Sequence, residues 1–216
     1  MKGGFLMAIP FLAVEGPIGV GKTSLAKTIA ETWNYKLLQE IVYENPFLEK
    51  FYGNMEEWSF QTEMFFLCNR YKQLNDIKQG MLADPQPVVS DYHIFKNLIF
   101  AKRTLPPAEY QKYEEIYMIL TRDMPVPSII IYLHASLDKL MERIAKRGRE
   151  FEKNMDTAYL RQLADDYEVF MNEFERAHPS IHVLRFDGDA TDFVNNRTDR
   201  DTILKAIQAV MDKGAF

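Results

Sequence analysis

The sequence predicts an α/β fold in which helices flank a five-stranded parallel β-sheet. A short apolar run at 11–15 leads into a glycine-rich turn, and helically spaced apolar residues follow at 25–33. The β-branched run 128–133 suits a central parallel strand that is buried on both faces. Strand and helix patterns alternate along the chain, which is typical of a parallel sheet wrapped by helices.

The remaining elements continue this alternation. Short apolar runs predict three further strands, at 36–40, 87–91 and 181–186. Helical spacing of apolar residues, with a proline at one helix start, predicts helices at 56–78, 106–122, 137–147, 157–177 and 200–213. No repeat, low-complexity segment or linker divides the chain. We therefore predict a single domain over residues 1–216.

The composition is that of an ordinary globular domain, with 47% apolar and 26% charged residues. A net charge of −5 without a basic stripe argues against nucleic-acid binding. The chain lacks the apolar run of about 18 residues that would predict a membrane span. Residues 1–11 do not resemble a signal peptide. The single cysteine, Cys68, excludes an intrachain disulfide, and we expect it to be buried. These features predict a cytoplasmic protein.

The glycine-rich turn at 16–24 carries the strongest chemical signal. It reads Gly-Pro-Ile-Gly-Val-Gly-Lys-Thr-Ser, which fits the phosphate-loop pattern G-x-x-x-x-G-K-[ST] between a predicted strand and a predicted helix. The glycines let backbone N–H groups point at phosphate oxygens, the lysine reaches the β- and γ-phosphates, and the next hydroxyl binds Mg²⁺. The candidate residues for ATP and Mg²⁺ are Gly16, Gly19, Gly21, Lys22, Thr23 and Ser24.

Other segments narrow the class of phosphate-loop protein. A GTPase would carry an Asn-Lys-x-Asp segment to read guanine, and the sequence has none. A motor or transporter ATPase would end an apolar strand in Asp, whereas the run 128–133 ends in His134. Small size, carboxylates at strand ends and an arginine-rich segment predict a P-loop kinase that phosphorylates a small molecule. A non-catalytic nucleotide-binding module is an alternative.

Two carboxylates are predicted at the carboxyl ends of parallel strands, where ligands bind in such sheets. Glu40 is a candidate general base for an attacking hydroxyl, and its charge would repel an acceptor that already carries a phosphate. This favours a nucleoside over a nucleotide as acceptor. Asp91 is a candidate Mg²⁺ residue. As alternatives, Glu40 only ends its strand, and Asp91 caps a helix that begins near His93.

Two further groups of charged residues are candidates for the site. An arginine-rich lid is predicted at about 143–157, where Arg143, Arg147 and Arg149 would converge on phosphates; the alternative is a solvated basic helix face. On the helix 56–78, Glu63 and Arg70 fall within the apolar stripe formed by Phe60, Phe66, Leu67 and Leu74.

A buried pair of opposite charges has two readings. It is either a structural ion pair or a binding site for a flat polar ligand. Guanine presents two adjacent N–H donors beside an acceptor, which a carboxylate and an arginine complement. Adenine has no such donor pair. Glu63 and Arg70 therefore favour guanine as the bound base.

Taken together, these residues resemble the deoxynucleoside kinase family, and within it the bacterial deoxyguanosine kinases. The resemblance covers nearly the whole chain. It rests on the phosphate loop, on the lid segment, whose Lys-Arg-Gly-Arg-Glu-Phe-Glu stretch is specific to these kinases, and on the segments Tyr52 to Phe60, Ser90 to Lys102 and Asp192-Phe193.

The resemblance implies roles for the acceptor site. Glu40 would be the base for the 5′-hydroxyl of the sugar, and Tyr52 and Glu152 would hold the 3′-hydroxyl. The base would be contacted by Glu63, Arg70 and Asn97.

The resemblance also implies the ATP side and the assembly. Asp91 would support Mg²⁺, and the arginines of the lid would act on the phosphates. Asp192 and Phe193 would lie over the adenine of ATP. The implied assembly is a homodimer joined through the helices at 58–78 and 106–122.

Two positions depart from the family pattern. Tyr92 replaces the arginine of an Asp/Glu-Arg-Ser motif, which removes a positive charge near the 5′ position, and Ile41 replaces a proline after Glu40.

The predicted activity is transfer of the γ-phosphoryl group of ATP to the 5′-hydroxyl of a purine deoxynucleoside, with deoxyguanosine preferred. A deoxyadenosine or broader deoxynucleoside kinase is the alternative, and a nucleoside monophosphate kinase is a further one.

Overall fold

A computed structural model describes residues 9–83, 85–153 and 155–214 of the chain. The first eight residues, where we expect no signal peptide, and Asn154 of the predicted lid lie outside these ranges. The predicted fold class is confirmed: a five-stranded parallel sheet has the order β2-β3-β1-β4-β5. Its strands are β1 Phe11–Glu15, β2 Lys36–Leu38, β3 Val88–Ser90, β4 Ile129–His134 and β5 His182–Asp187.

Helices cover both faces of the sheet. They are α1 Lys22–Trp33, α2 Leu48–Gly53, α3 Met55–Ala83, α4 Lys96–Thr104, α5 Pro107–Thr121, α6 Leu137–Arg147, α7 Thr157–Ala177 and α8 Arg197–Met211, with a 3₁₀ turn at Glu150–Glu152. The predicted bounds of α6 and α7 are confirmed, and α3 is longer than predicted. The sequence does not predict α2 and α4, because both are short and neither has a side-chain cap at its start.

Local capping explains why α6 and α7 begin where they do. The Ser136 hydroxyl accepts from the backbone N–H of Lys139 at the start of α6, and Asp156 accepts from Ala158 N at the start of α7. Gly148 ends α6 in the left-handed conformation, with φ of 67°. Such caps satisfy backbone groups that a helix end leaves without partners.

The core lies on both sides of the central strands. Strand β4 is buried from Ile129 to Leu133, as a continuous apolar run in a covered parallel sheet requires. On α3 the stripe residues Leu67 and Leu74 are buried, and Phe60 and Phe66 are half-buried. Cys68, on the same helix, is exposed, so the prediction that it is buried was wrong.

The topology sets the position of the site. Strand β1 lies between β3 and β4 and pairs with both in parallel. The strand order therefore reverses at β1, with β2 and β3 on one side of it and β4 and β5 on the other. Ligands bind at the carboxyl end of such a sheet, where the strand order reverses. Gly16, Glu40 and Asp91 all follow strands at this edge. Among the helices in the described ranges, none has the length and apolar content needed to cross a bilayer.

Candidate active site

A cleft of about 590 Å³ opens at this edge of the sheet, within the ~300–1,000 Å³ typical of small-molecule sites. The phosphate loop and the start of α1 line one end, and residues of α2, α3 and α7 line the other. Lys96, at the start of α4, lines the wall that Glu40 and Asp91 also form. The cleft therefore joins the predicted phosphate site to the predicted nucleoside site.

The phosphate loop has the geometry that its glycines predict. Gly16 has a φ of 142°, and a Cβ there would lie 2.1 Å from the carbonyl oxygen of Leu133, so only glycine fits. The Lys22 ammonium donates to the carbonyl oxygens of Gly16 at 2.7 Å and Pro17 at 2.9 Å. Burial, and then the positive charge of Lys96, lowers the pKa of Lys22 to about 7. Bound phosphate would restore the charged form.

A buried carboxylate that the sequence analysis does not single out binds the first backbone N–H of the phosphate loop. Glu15, at the end of β1, is fully buried and accepts from the backbone N–H groups of Gly16, at 3.1 Å, and His93. It also accepts from the Tyr167 hydroxyl at 3.3 Å. A charged residue that ends an otherwise apolar strand just before the loop was the signal available in the sequence.

The two predicted Mg²⁺ residues are in contact. The Thr23 hydroxyl donates to Asp91 Oδ2 at 2.6 Å, while Asp91 Oδ1 accepts from the backbone N–H of Glu40 at 2.7 Å. Burial, and then the charge of Glu40, raises the pKa of Asp91. Asp91 does not cap α4, which begins at Lys96, so that alternative was wrong.

This oxygen pair fits Mg²⁺. The ion is commonly held by one or two protein oxygens, with phosphates and waters completing its octahedron. Within the described ranges no cluster of three or more His, Cys, Asp or Glu side chains could enclose a metal. A cation beside Thr23 and Asp91 would complete its octahedron with waters and with the oxygens of a bound nucleotide.

Glu40 lies close to three positively charged side chains, those of Lys96, Arg70 and Lys22. Lys96 Nζ is 3.0 and 3.1 Å from the two carboxylate oxygens, and Arg70 donates to Oε1 through Nε, at 3.0 Å, and through Nη2. Burial alone would raise the pKa of Glu40, but Lys96, Arg70 and Lys22 outweigh it and hold that pKa well below its usual range. Glu40 is therefore ionised at neutral pH.

The base end of the cleft contains a buried carboxyl group. Glu63 is 2% exposed, and among the described residues its Oε2 has no hydrogen-bond partner. Burial, opposed by the charges of Arg70 and Lys96 and reinforced by Glu40, raises the pKa of Glu63 to about 8. A buried polar group that is unsatisfied in the free protein marks a place where a ligand can supply the missing bonds.

Arg70 has a different partner from the one predicted. Its ion pair is with Glu40 rather than Glu63, and Nη1 donates to Asn97 Oδ1 at 2.7 Å. Asn97 in turn donates to the Tyr113 hydroxyl at 2.6 Å, and that hydroxyl donates to the backbone carbonyl of Glu63 at 3.3 Å. Arg70 therefore links the base end of the cleft to the carboxylate at its centre.

The predicted arginines of the lid do not converge on one point. Arg143 donates to the carbonyl oxygens of Val20 and Gly188, both at 2.9 Å, which ties the phosphate loop to the loop after β5. Arg147 and Arg149 instead pair with Glu152, at 2.7 and 3.4 Å. Glu152 is buried, so these two guanidiniums compensate a charge that could not stand alone.

The other predicted site residues lie in and around the cleft. Tyr52 lines it and stacks on Phe151, with ring centroids 6.3 Å apart, and burial followed by the charge of Glu152 raises its pKa. Phe193 packs over Gly21, and Asp192 lies beside it on the surface. Tyr92 is fully buried and donates to Gln73 at 2.8 Å, behind the wall of the cleft.

Lys96 is a second residue of this site that the sequence pattern does not indicate. It lies inside the segment 90–102 on which the resemblance rests, yet its pattern carries no phosphate-binding signal. Because the sequence does not predict α4, the position of this lysine in the first turn of a helix, where the helix dipole disfavours a positive charge, becomes visible only in the structure.

Comparison with known proteins agrees with the resemblance. The family model described as deoxynucleoside kinase matches residues 12–212. A deoxyguanosine kinase of Bacillus subtilis (strain 168) is 52% identical over 202 residues, which cover 94% of this chain and 98% of the relative. A deoxyadenosine/deoxycytidine kinase of the same organism is 31% identical, covering 93% and 92% of the two chains.

A solved structure supports the fold independently. The deoxyadenosine kinase from M. mycoides with bound dATP superposes with a TM-score of 0.78 at 24% identity, and the match covers 92% of this chain and 99% of that one. The fold, the phosphate loop and the match of the family model across almost the whole sequence lead to one conclusion. The chain belongs to the deoxynucleoside kinase family.

Proposed function

We propose that the protein transfers the γ-phosphoryl group of ATP, with Mg²⁺, to the 5′-hydroxyl of a purine deoxynucleoside, and that deoxyguanosine is the preferred acceptor. The observation that carries the proposal is the buried Glu63 carboxyl, unpartnered among the described residues, in a cleft whose other end is a phosphate loop. The similarity to a deoxyguanosine kinase at 52% identity supports the same acceptor.

We infer an in-line transfer. The 5′-oxygen would attack the γ-phosphorus while its proton passes to Glu40, and the bond from the γ-phosphorus to the bridging oxygen breaks to release ADP. Lys22 would donate to the phosphate oxygens instead of to its own loop. Mg²⁺, held near Thr23 and Asp91, neutralises phosphate charge when bound. Glu40 has no proton to lose first, because its pKa is low.

Deoxyguanosine fits the base end through complementary donors. An ionised Glu63 would accept from N1–H and from the 2-amino group of guanine, which satisfies the oxygen left without a partner. Tyr52 and Phe66 would bound the nucleoside on the sides of the cleft. The deoxyadenosine/deoxycytidine relative keeps a broader specificity open as the second candidate.

Product analysis with Mg·ATP tests the function. Each of the four deoxynucleosides and dGMP would be incubated with the purified protein, and monophosphates and diphosphates would be quantified. We expect deoxyguanosine to be converted to dGMP well ahead of deoxyadenosine. A preference for another deoxynucleoside would contradict the assignment of the base site, and turnover of dGMP alone would move the protein to the nucleotide kinases.

Replacing Glu63 with glutamine should weaken deoxyguanosine more than deoxyadenosine. An amide offers one acceptor where guanine needs two, whereas it can donate to adenine N1 and accept from the 6-amino group. Losing a charge-assisted bond with a buried partner costs about 1.5–3 kcal/mol, so we expect kcat/KM for deoxyguanosine to fall by about 10- to 100-fold. Glu57→Gln, on the exposed side of the same helix, is the control. Equal losses for both nucleosides would remove Glu63 as the reader of the base.

The ratio of kcat/KM for deoxyguanosine to that for deoxyadenosine should rise with pH. The pKa of Glu63 is about 8, so below pH 8 this carboxyl is mostly protonated in the protein without ligand. Guanine requires the ionised form. A protonated carboxyl would suit adenine, donating to N1 and accepting from the 6-amino group. Because deoxyguanosine uses the ionised form and deoxyadenosine the protonated form, this ratio follows the ratio of the two forms of Glu63, and it should rise by up to about tenfold per pH unit both below and above pH 8. Both substrates share Glu40 and Lys22, whose titrations cancel in the ratio; a flat profile would contradict this role, and Glu63→Gln should give one.

We also infer that the protein is a homodimer, as the resemblance implies. On α5, which lies in the predicted interface, Met118 and Ile119 are 60% and 68% exposed, an apolar pair that a partner helix would cover. Light scattering should give twice the chain mass of 25.3 kDa, and Ile119→Glu should reduce it to the mass of the monomer.

We also propose the cytoplasm as the location of the protein. The proposed reaction uses ATP, and a chain with a single, exposed cysteine fits that compartment.

A further inference from the structure

Lys96 is a buried cation in an unfavourable place. It is the first residue of α4 and is 4% exposed. Burial and the positive end of a helix dipole both disfavour an ammonium group at that position. Its Nζ contacts both oxygens of Glu40, at 3.0 and 3.1 Å. An apolar residue at this position would avoid both costs, yet the chain has a lysine here, on the wall of the cleft.

The two cations on Glu40 are not equivalent. Arg70 is held at both ends, by Glu40 and by Asn97, so its guanidinium cannot leave without breaking the network around the base. In the described ranges the Lys96 ammonium has hydrogen bonds to Glu40 only, and its other contact is with the face of the Phe100 ring, whose centroid is 5.4 Å from Nζ. Lys96 is therefore the cation that is able to move during a reaction.

The charge changes of the proposed transfer require such a cation. When the 5′-oxygen attacks, its proton goes to Glu40 and neutralises the carboxylate, while negative charge persists on the oxygens of the transferring phosphoryl group. An ammonium that held the carboxylate before transfer is left without its anion at that moment. Tyr92, which replaces an arginine of the family motif, is hydrogen-bonded to Gln73 and cannot supply this charge.

We propose that Lys96 is a catalytic residue that holds Glu40 in place before transfer and donates to the phosphoryl oxygens during it. The proposal rests on the proposed function of the cleft. It differs from a structural role, in which Lys96 would only neutralise a buried Glu40. The two roles separate when Glu40 carries no charge, because a purely neutralising lysine is then no longer needed.

The experiment is a double-mutant cycle with Glu40→Gln, Lys96→Met and both changes together. We expect Lys96→Met to lower kcat by about 10²–10³-fold, as removal of a transition-state donor does, with the Kd of deoxyguanosine, measured by calorimetry without ATP, changed by less than about threefold. Lys96→Arg should recover at least about tenfold over Lys96→Met, because it restores a charged donor. Lys102→Met, an exposed lysine of the same helix, should leave kcat within about twofold.

The decisive comparison is between the double variant and Glu40→Gln alone. A further loss of at least about tenfold in kcat would support a role on the phosphoryl group, because Lys96 would then act without Glu40. Equal kcat values for these two proteins would overturn it. This comparison remains available if Lys96→Met alone fails to fold, since the double variant leaves no unpaired carboxylate. Wild-type turnover in the product analysis decides the proposed function, and the cycle is run on whichever acceptor that analysis identifies.

Discussion

Replacing Glu40 with glutamine is expected to lower kcat for deoxyguanosine by about 10²–10⁴-fold, the usual loss when a general base is removed. The amide keeps the shape of the side chain but cannot take the 5′-hydroxyl proton. It also leaves Lys96 and Arg70 without the carboxylate that both now contact. Initial rates at saturating ATP and deoxyguanosine measure the effect.

Stability must be followed in the same variant. Breaking a buried ion pair by removing one partner typically costs about 3–5 kcal/mol, so the Tm of Glu40→Gln should fall while the protein remains folded at the assay temperature. Glu44→Gln, an exposed carboxylate a few residues away, is the matched control and should keep both kcat and Tm. Turnover of Glu40→Gln within about fivefold of wild type would show that Glu40 is not the base.

Replacing Lys22 with methionine is the second change with a large expected effect. In the structure its ammonium donates to the carbonyl oxygens of Gly16 and Pro17, where it holds the loop in its open turn. With ATP bound, the same group would face the β- and γ-phosphates. We expect kcat to fall by about 10²–10³-fold, as for other donors aimed at transition-state charge, and the KM for ATP to rise.

The measurement that separates the two substrates is binding of each one alone. Lys22→Met should keep the Kd of deoxyguanosine, because the lysine lies at the phosphate end of the cleft. Lys205→Met, on the exposed face of α8, controls for loss of one positive charge. An unchanged kcat in Lys22→Met would contradict the role of the loop in phosphoryl transfer.

The parts of this fold that the sequence predicts are those with local causes. The phosphate loop is one contiguous segment whose glycines, lysine and hydroxyl each have a backbone or charge requirement. The bounds of α6 and α7 follow from Ser136, Gly148 and Asp156, which cap them from adjacent positions. The short helices α2 and α4 lack such caps and depend on packing, so the sequence gives no comparable signal for them.

The partners within the site depend on packing between distant segments. The burial of Glu63 and Arg70 follows from the helical stripe, but the choice of Glu40 as the partner of Arg70 follows from how α3 lies against the residues after β2. Lys96 reaches the same carboxylate from a helix that the sequence did not reveal. The prediction that Cys68 is buried came from its residue type alone. Its exposure is set by which sides of α3 the helices α2, α4 and α5 cover.

Asp91 acts as a spacer of fixed width between the two halves of the cleft. One carboxylate oxygen receives the Thr23 hydroxyl and the other receives the backbone N–H of Glu40, at 2.6 and 2.7 Å. The side that would hold the phosphates of the donor and the side that would hold the acceptor oxygen are therefore separated by a single side chain. One carboxylate thereby fixes the distance between the Thr23 hydroxyl and the backbone N–H of Glu40, the two groups on which the proposed alignment of donor and acceptor depends.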